Sequence, residues 1–462
     1  MVNKLNEFLL ICFLIIFIIF IIILLKKQDG YKIIFNEIFW IITPWTVCLI
    51  LYFISGIKYQ YNLNFFSTAY IVLFWVLFLL GRFLAYKIKI NHEKNINEES
   101  NKQKNEIIEY NFSKKINLLP LFIISFIACI IYTIYMISTN DIIIGITRNV
   151  KTDAFTTVML FFSSSSLIIW LYELSYSILN EKKITIYGII SAIIYNLPVF
   201  LISGRDALII FLIATLIIFI YCKNFRKKVM KQESNISKKY LKISIIAIII
   251  ILLYLFVISN NRYGSNNDSI INMYQFASGA EFPEYLVKIN NLGSLGKLFV
   301  NFIFYYTSQF SKFSLIFQNY NGPYLFGFYQ LQIISRHLPL DSPLNYYLVT
   351  SQISQITTNA GISGMRVLWE TSLGYFIYDY GKFGTLIFAL ILGYVIGKIS
   401  KNVKKNINIL NIILQTMICV AMFTTIELSA IFDYFYIFPL AWLIIINIIL
   451  KVEGINERKK QK

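Results

Sequence analysis

Eleven stretches of roughly twenty residues, nearly free of charge, dominate this sequence and dictate its solvent. They lie near 6–25, 37–55, 65–86, 117–138, 154–178, 184–202, 206–222, 242–259, 382–398, 407–426 and 431–450. A hydrocarbon core about 30 Å thick is crossed by about 20 helical residues, so each run has the length of a membrane span. In lipid, every backbone amide must be satisfied within its own segment. The runs therefore read as helices despite their wealth of Ile and Phe, whose sheet preference the environment overrules.

Composition supports this: 57% of the residues are hydrophobic and 14% are charged, against about 25% charged in an average soluble domain. The expected fold class is an all-α polytopic membrane protein of about eleven transmembrane helices. The first run is followed by Lys26 and Lys27 without a small-residue cleavage site, which predicts a retained span rather than a cleaved signal. Cys12, Cys48, Cys129, Cys222 and Cys419 fall within or at the ends of runs, where they act as small apolar residues and suggest neither disulfides nor zinc.

The net charge of +18 is explained by orientation and requires no nucleic acid. Short loops rich in Lys and Arg lie in the cytoplasm. Alternating from the Lys-rich stretch 223–242, the inner segments and their flanks hold 30 of the 42 basic residues. This predicts the N-terminus outside and the C-terminus inside. The aromatic stretch 298–318 is nearly apolar enough to span, but a single crossing there would put Lys398, Lys401, Lys404 and Lys405 outside. It is expected to be an interfacial or partly re-entrant helix.

Three regions follow: 1–259 with eight spans and a polar cytoplasmic linker at 87–116, a long extracytoplasmic loop at 260–381, and 382–462 with three spans and an inner tail. The loop is too long for a mere connector and too rich in Phe, Tyr and Leu for disorder. Short helices folded over the outer end of the bundle are expected. No internal repeat or inverted pair of broken helices is visible, which disfavours a secondary transporter.

Arginine and lysine are distributed differently. Only Arg82, Arg226 and Arg458 lie on the inner side, whereas Arg148, Arg205, Arg262, Arg336 and Arg366 are among the twelve outer basic residues. A guanidinium binds phosphate or carboxylate bidentately and gives up hydration more readily than an ammonium. Several at one membrane face suit a lipid-linked phosphate or pyrophosphate; scattered ion pairs and headgroup contacts are the alternative.

Arg205 lies in the tight turn Ser203-Gly204-Arg205-Asp206. Ser203 and Asp206 have capping-box spacing, which gives Asp206 a structural role beside a binding one. Arg205 then sits in a first helical turn, where free N–H groups already favour an anion. Arg262 and Tyr263 follow the eighth span, and Arg336 precedes His337, the one His on the outer side. His337 is a candidate base or phosphate-binding hydrogen-bond donor, or a plain surface or hydrogen-bonding histidine.

A glycosyl acceptor needs a base for its hydroxyl proton, usually a carboxylate. Outer candidates are Glu281, Glu284, Asp341, Glu370, Asp379, Glu427 and Asp433. Ser163 to Ser166, inside a span, read as bonding between helices. No phosphate-binding Gly-rich loop, dinucleotide fingerprint, Asp-x-Asp pair or His/Cys/carboxylate cluster of metal-ligand spacing is present in the sequence. No cofactor and no metal are expected.

This arrangement resembles the Wzy-type oligosaccharide repeat-unit polymerases of O-antigen and capsule synthesis. The resemblance rests on Ser203-Gly204-Arg205-Asp206-Ala207-Leu208 at an outer turn, Arg262-Tyr263-Gly264 opening a long loop, and Tyr378-Asp379-Tyr380-Gly381-Lys382-Phe383-Gly384 at its return. The last segment also reads simply as an aromatic helix entry in which glycines permit a turn. The resemblance implies a GT-C-like fold and an inverting, metal-independent glycosyltransferase of the cytoplasmic membrane. Such an enzyme moves a growing glycan from undecaprenyl pyrophosphate onto a new lipid-linked unit, alongside a chain-length regulator and a flippase.

In that reading Arg205, Arg262, Arg336 and His337 are the catalytic candidates, and Arg366, Asp206, Glu281, Tyr263 and Asp379 bind substrate. His337 is followed by Leu338, where the related ligases have Asn, so the ligase reading is disfavoured. The competing expectations are a lipid-linked oligosaccharide flippase, or a ligase for finished chains. Charge buried midway along several spans would mark a flippase pathway; Glu173, near the inner end of its span, is the main such charge.

Overall fold

The computed structural model describes residues 34–87, 112, 115–139, 153–201, 206–228, 230, 270–362, 364, 370–427, 429 and 433–460. Among these the regular structure is helical: α1 Glu37–Ile54, α2 Phe65–Lys87, α3 Leu119–Thr139, α4 Ala154–Asn180, α5 Ile186–Leu201, α6 Asp206–Lys228, α7 Ile270–Ser278, α8 Glu284–Asn290, α9 Ser294–Asn319, α10 Gln332–Ser335, α11 Tyr346–Asn359, α12 Ser372–Lys405, α13 Ile409–Thr424 and α14 Tyr434–Lys460. Six of them, α1, α2, α3, α4, α6 and α12, are long and apolar enough to cross a membrane; α5, α13 and α14 carry shorter apolar stretches. The chain is a multi-pass α-helical membrane protein. The expected spans at 6–25 and 242–259, and most of the linker, lie outside the described residues.

The helices begin where the sequence supplies caps. Asn36 Oδ1 accepts from Ile38 N–H at 3.1 Å ahead of α1. Asp153 and Thr156 form a reciprocal capping box ahead of α4, each side chain satisfying an amide the first turn leaves free.

The chain divides into two compact units. One contains α1, α2, α7 to α11, most of α12 and residues 421–433. In it α9 packs on the first helical pair through aromatic side chains. Phe310 lies against Trp45 and Tyr52, with ring centroids 5.9 and 5.6 Å away, and Tyr70 of α2 meets Phe317 at 4.9 Å. Tyr59 and Thr307 share a buried hydrogen bond of 2.5 Å, and Ser314 Oγ donates to Asn62 O. The stretch expected to be an interfacial or re-entrant helix is thus a helix, α9, and it is absent from the six of spanning character.

Helices α2 and α12 approach through small residues. A Cβ added to Gly81 would stand 2.0 Å from Leu390 O, and one added to Gly393 would stand 2.0 Å from Phe78 O; Gly397 faces Ala85. Backbone-to-backbone contact of this kind is the usual packing of small residues in lipid, where burial of apolar surface drives nothing. Arg82 closes the same unit at α1: its Nε lies 2.6 Å from Glu37 Oε1 and its guanidinium covers the Tyr86 ring at 4.8 Å.

The other unit contains α3 to α6, α14 and most of α13, with α4 in contact with α3, α5, α6 and α14. Ser163 to Ser166 do not bond between helices as expected. Each hydroxyl donates to the carbonyl three residues earlier in α4, a self-contained choice that leaves a small, neutral surface for neighbours. Glu173 is buried and fully engaged: it accepts from Tyr187 OH at 2.7 Å and Thr185 Oγ1 at 2.8 Å, and pairs with Lys115 at 3.0 Å. Those bonds tie α4 to the start of α5, a structural duty for a charge that was weighed as a pathway marker. Arg226 donates from Nη1 to the carbonyls of Ile178 and Leu179 and pairs with Glu181, capping the C-terminal end of α4 where a cation is favoured.

Candidate functional site

The motif segment 378–384 breaks its helix. At Gly381 φ is +68° and ψ 175°, a region of backbone space that glycine alone occupies without strain. A Cβ there would also stand 3.2 Å from the Tyr324 ring. The carbonyls just before the break serve the loop that follows α9: Leu325 N–H donates to Tyr378 O at 3.1 Å and Phe326 N–H to Asp379 O at 2.9 Å.

Asp379 fixes the same loop with its side chain. One carboxylate oxygen accepts from Tyr329 N–H at 2.8 Å, the other from Gln330 N–H at 3.3 Å and Gln330 Nε2 at 3.1 Å. Gln330 Oε1 in turn accepts from Ser429 Oγ at 2.5 Å. A fully buried carboxylate survives by such donors, and the result is a rigid seat for Tyr329.

Beside it sits a buried ion pair. Lys312 of α9 and Glu370, just ahead of α12, have side chains 4% exposed and lie 3.8 Å apart, Nζ to Oε1. The second oxygen of Glu370 accepts from Tyr378 OH. Gly374 makes the room, since a Cβ there would come within 3.0 Å of that oxygen. Burial raises the Glu370 carboxyl above its ordinary value, with Lys312 opposing, and lowers the Lys312 ammonium, with Glu370 opposing. Each group depends on the other to remain charged.

Tyrosines connect this pair to the surface. Tyr378 meets Tyr329 edge to face at 4.8 Å, Tyr329 stacks on Tyr346 at 5.1 Å, and the half-buried Arg336 lies over Tyr346 at 4.7 Å. Tyr320 also packs on Tyr378, edge to face at 4.9 Å. The row runs from a partly solvated guanidinium through aromatic faces to a buried lysine and carboxylate. Chemically it offers an anion-binding fork at one end, stacking surfaces along it, and hydroxyl and carboxylate groups at the other.

The structure brings Arg336 and Asp379 into one framework, because the Tyr329 that Asp379 anchors supports the ring beneath Arg336. His337 follows Arg336 and is exposed. Glu281 is elsewhere in this unit: exposed, 3.5 Å from Lys58 and bridged to it through the backbone. Asp206 opens α6 in the other unit. Arg205, Arg262, Tyr263 and Arg366 lie outside the described residues.

Lys312 escaped sequence reasoning although a signal was present: it is the only charged residue in 298–318. A lone cation in an apolar helix demands a partner. Glu370 was one acidic candidate among seven, and nothing local in the sequence distinguishes it. Comparison with known protein families, curated proteins and solved structures returns no match.

Proposed function

We propose that this chain is a Wzy-type polymerase that joins undecaprenyl-pyrophosphate-linked repeat units at the outer face of the cytoplasmic membrane, with the N-terminus outside and the C-terminus inside. The observation that carries the reading is the row from Arg336 to the Lys312–Glu370 pair, set in a folded segment between apolar helices. It joins an anion-binding guanidinium to aromatic faces of the kind that stack on sugars.

In this reading an acceptor hydroxyl attacks the anomeric carbon of the donor sugar and forms the new C–O bond. The bond to pyrophosphate breaks, and the leaving group carries away its electron pair. Arg336, with Arg205, Arg262 and Arg366 carried over from the sequence resemblance, stabilises the charge that develops. The acceptor proton passes to a base or to water; His337 keeps that candidacy. Asp379 acts by positioning, through the loop at 329–330.

Cells lacking this chain accumulate single lipid-linked repeat units at the outer face. Long lipid-linked chains in their place would identify a ligase, and single units retained at the inner face would identify a flippase. Restoring the chain as Arg205→Lys or Arg336→Lys yields inserted protein and sharply shortened polymer; full-length polymer from both variants removes the arginines from the site.

A further inference from the structure

We propose that Lys382 and Tyr324 form a phosphate-binding site at the break in α12, additional to the one assigned to Arg336. Lys382 is the only lysine between Lys312 and Lys398, and the residues that follow it, 383–397, carry no charge. It is half-buried, and its Nζ lies over the Phe317 ring at 5.2 Å. A ring face attracts a cation from one side only, so an ammonium with three donors still has directions to fill. Among the described residues no carboxylate pairs with it. Asp379, three residues earlier, spends both of its oxygens on the loop at 329–330.

Tyr324 stands at the same break. The ring carbon that bears its hydroxyl is the atom nearest to where a Cβ on Gly381 would be, at 3.2 Å. The missing side chain and the +68° φ of Gly381 thus bring a phenol up to the residue that precedes Lys382. Tyr324 is 37% exposed, and no described residue takes a hydrogen bond from its hydroxyl. The backbone beneath is fixed: Tyr70 OH donates to Lys382 O at 2.6 Å and Thr385 Oγ1 to Gly381 O at 2.7 Å. A directional O–H and a compact positive charge, held by one anchored turn, are a donor set for an oxyanion, and lysine binds phosphate as a point charge. Position selects phosphate: a lysine that opens a charge-free helical run extends its ammonium to the level of the bilayer's phosphates. A phospholipid headgroup and the diphosphate of a lipid-linked substrate both present that group. The site stands without the polymerase reading; under that reading donor and acceptor bring two lipid-linked diphosphates at once, and the second needs a site of its own.

The test uses full-length protein in an uncharged, phosphate-free detergent, its lysines dimethylated with isotope-labelled formaldehyde and observed by nuclear magnetic resonance. The methyl signal missing from Lys382→Arg identifies Lys382, and Lys382→Gln serves should that variant fail to fold. Inorganic pyrophosphate is the probe. The expected result is a saturable shift of that signal, with half-saturation at roughly tenfold higher pyrophosphate in Tyr324→Phe, the loss expected for one hydrogen bond to a charged acceptor. Nanodiscs of phosphatidylglycerol separate the two sources. A signal already at its shifted position before pyrophosphate is added shows that a bilayer headgroup fills the site, and one that moves only on addition shows a site kept for another phosphate; either supports the proposal. A signal at its unshifted position in both media, with and without pyrophosphate, overturns it. So does a shift matched by sodium chloride at equal ionic strength, or an unchanged response in Tyr324→Phe. Polymer length is not the readout, so the polymerase reading can fail while this site stands.

Discussion

Lys312→Met isolates the buried pair and makes a quantitative demand. With the ammonium gone, Glu370 retains the Tyr378 hydrogen bond but no counter-charge among the groups that oppose its burial. An uncompensated buried charge costs about 3–5 kcal/mol, so the carboxyl takes up a proton instead. From its ordinary value of 4.5, holding that proton at pH 7 costs roughly 3.4 kcal/mol at about 1.36 kcal/mol per pH unit. The sign follows from a raised folded value: stability is fully present below pH 4.5 and is lost as pH rises towards the folded value. The deficit of the variant relative to the parent should therefore shrink, by at most about 2.7 kcal/mol, between pH 7 and pH 5. Lys312→Met with Glu370→Gln removes both charges and keeps an acceptor for Tyr378, so its stability should lie within about 1 kcal/mol of the parent at pH 7 and lack the extra loss that the single variant shows as pH rises. Unfolding of the purified protein in detergent, followed by denaturant titration at several pH values, reads all three. A pH-independent deficit in the single variant refutes the pairing.

Two further perturbations examine the frame around the site. Gly393→Leu places side-chain atoms where Phe78 O stands 2.0 Å from an added Cβ; overpacking of at least about 1–3 kcal/mol is expected, read as a lowered melting temperature, and an unchanged value would mean α2 and α12 do not cross there. Asp153→Ala removes the α4 capping box and should cost about 1 kcal/mol, while Asp153→Asn, which keeps the acceptor, should recover most of it in the same unfolding assay.

The fold was legible where lipid leaves no choice. The expected runs at 37–55, 65–86, 117–138 and 154–178 become α1 to α4 with ends displaced by a few residues, because hydropathy and the need to satisfy every amide point the same way. What the pattern does not encode is partnership. Ser163 to Ser166 have the composition of residues that join helices, yet a hydroxyl in α4 finds its own carbonyl one turn back before it finds a neighbour. Arg82 and Arg226 read as part of an inner charge excess, and each is spent on a particular helix end or carboxylate.

The site shows the same division more sharply. Counting Arg apart from Lys singled out Arg336, and Asp379 stood out within a motif, but neither reading contains the reason the two belong together. That reason is the break at Gly381, which releases carbonyls to the loop at 325–326 while Asp379 takes the amides of 329 and 330. Lys312 was hidden by averaging: a stretch judged on its mean apolarity conceals one cation. In a helix that buries Phe310, Phe313 and Ile316 on either side of it, that cation is met by a carboxylate from a distant part of the chain. A residue whose presence requires another element to fold first constrains the tertiary structure more than any single span does. The pair therefore fixes where α9 and the start of α12 must meet, and with them the tyrosines that lead out to Arg336.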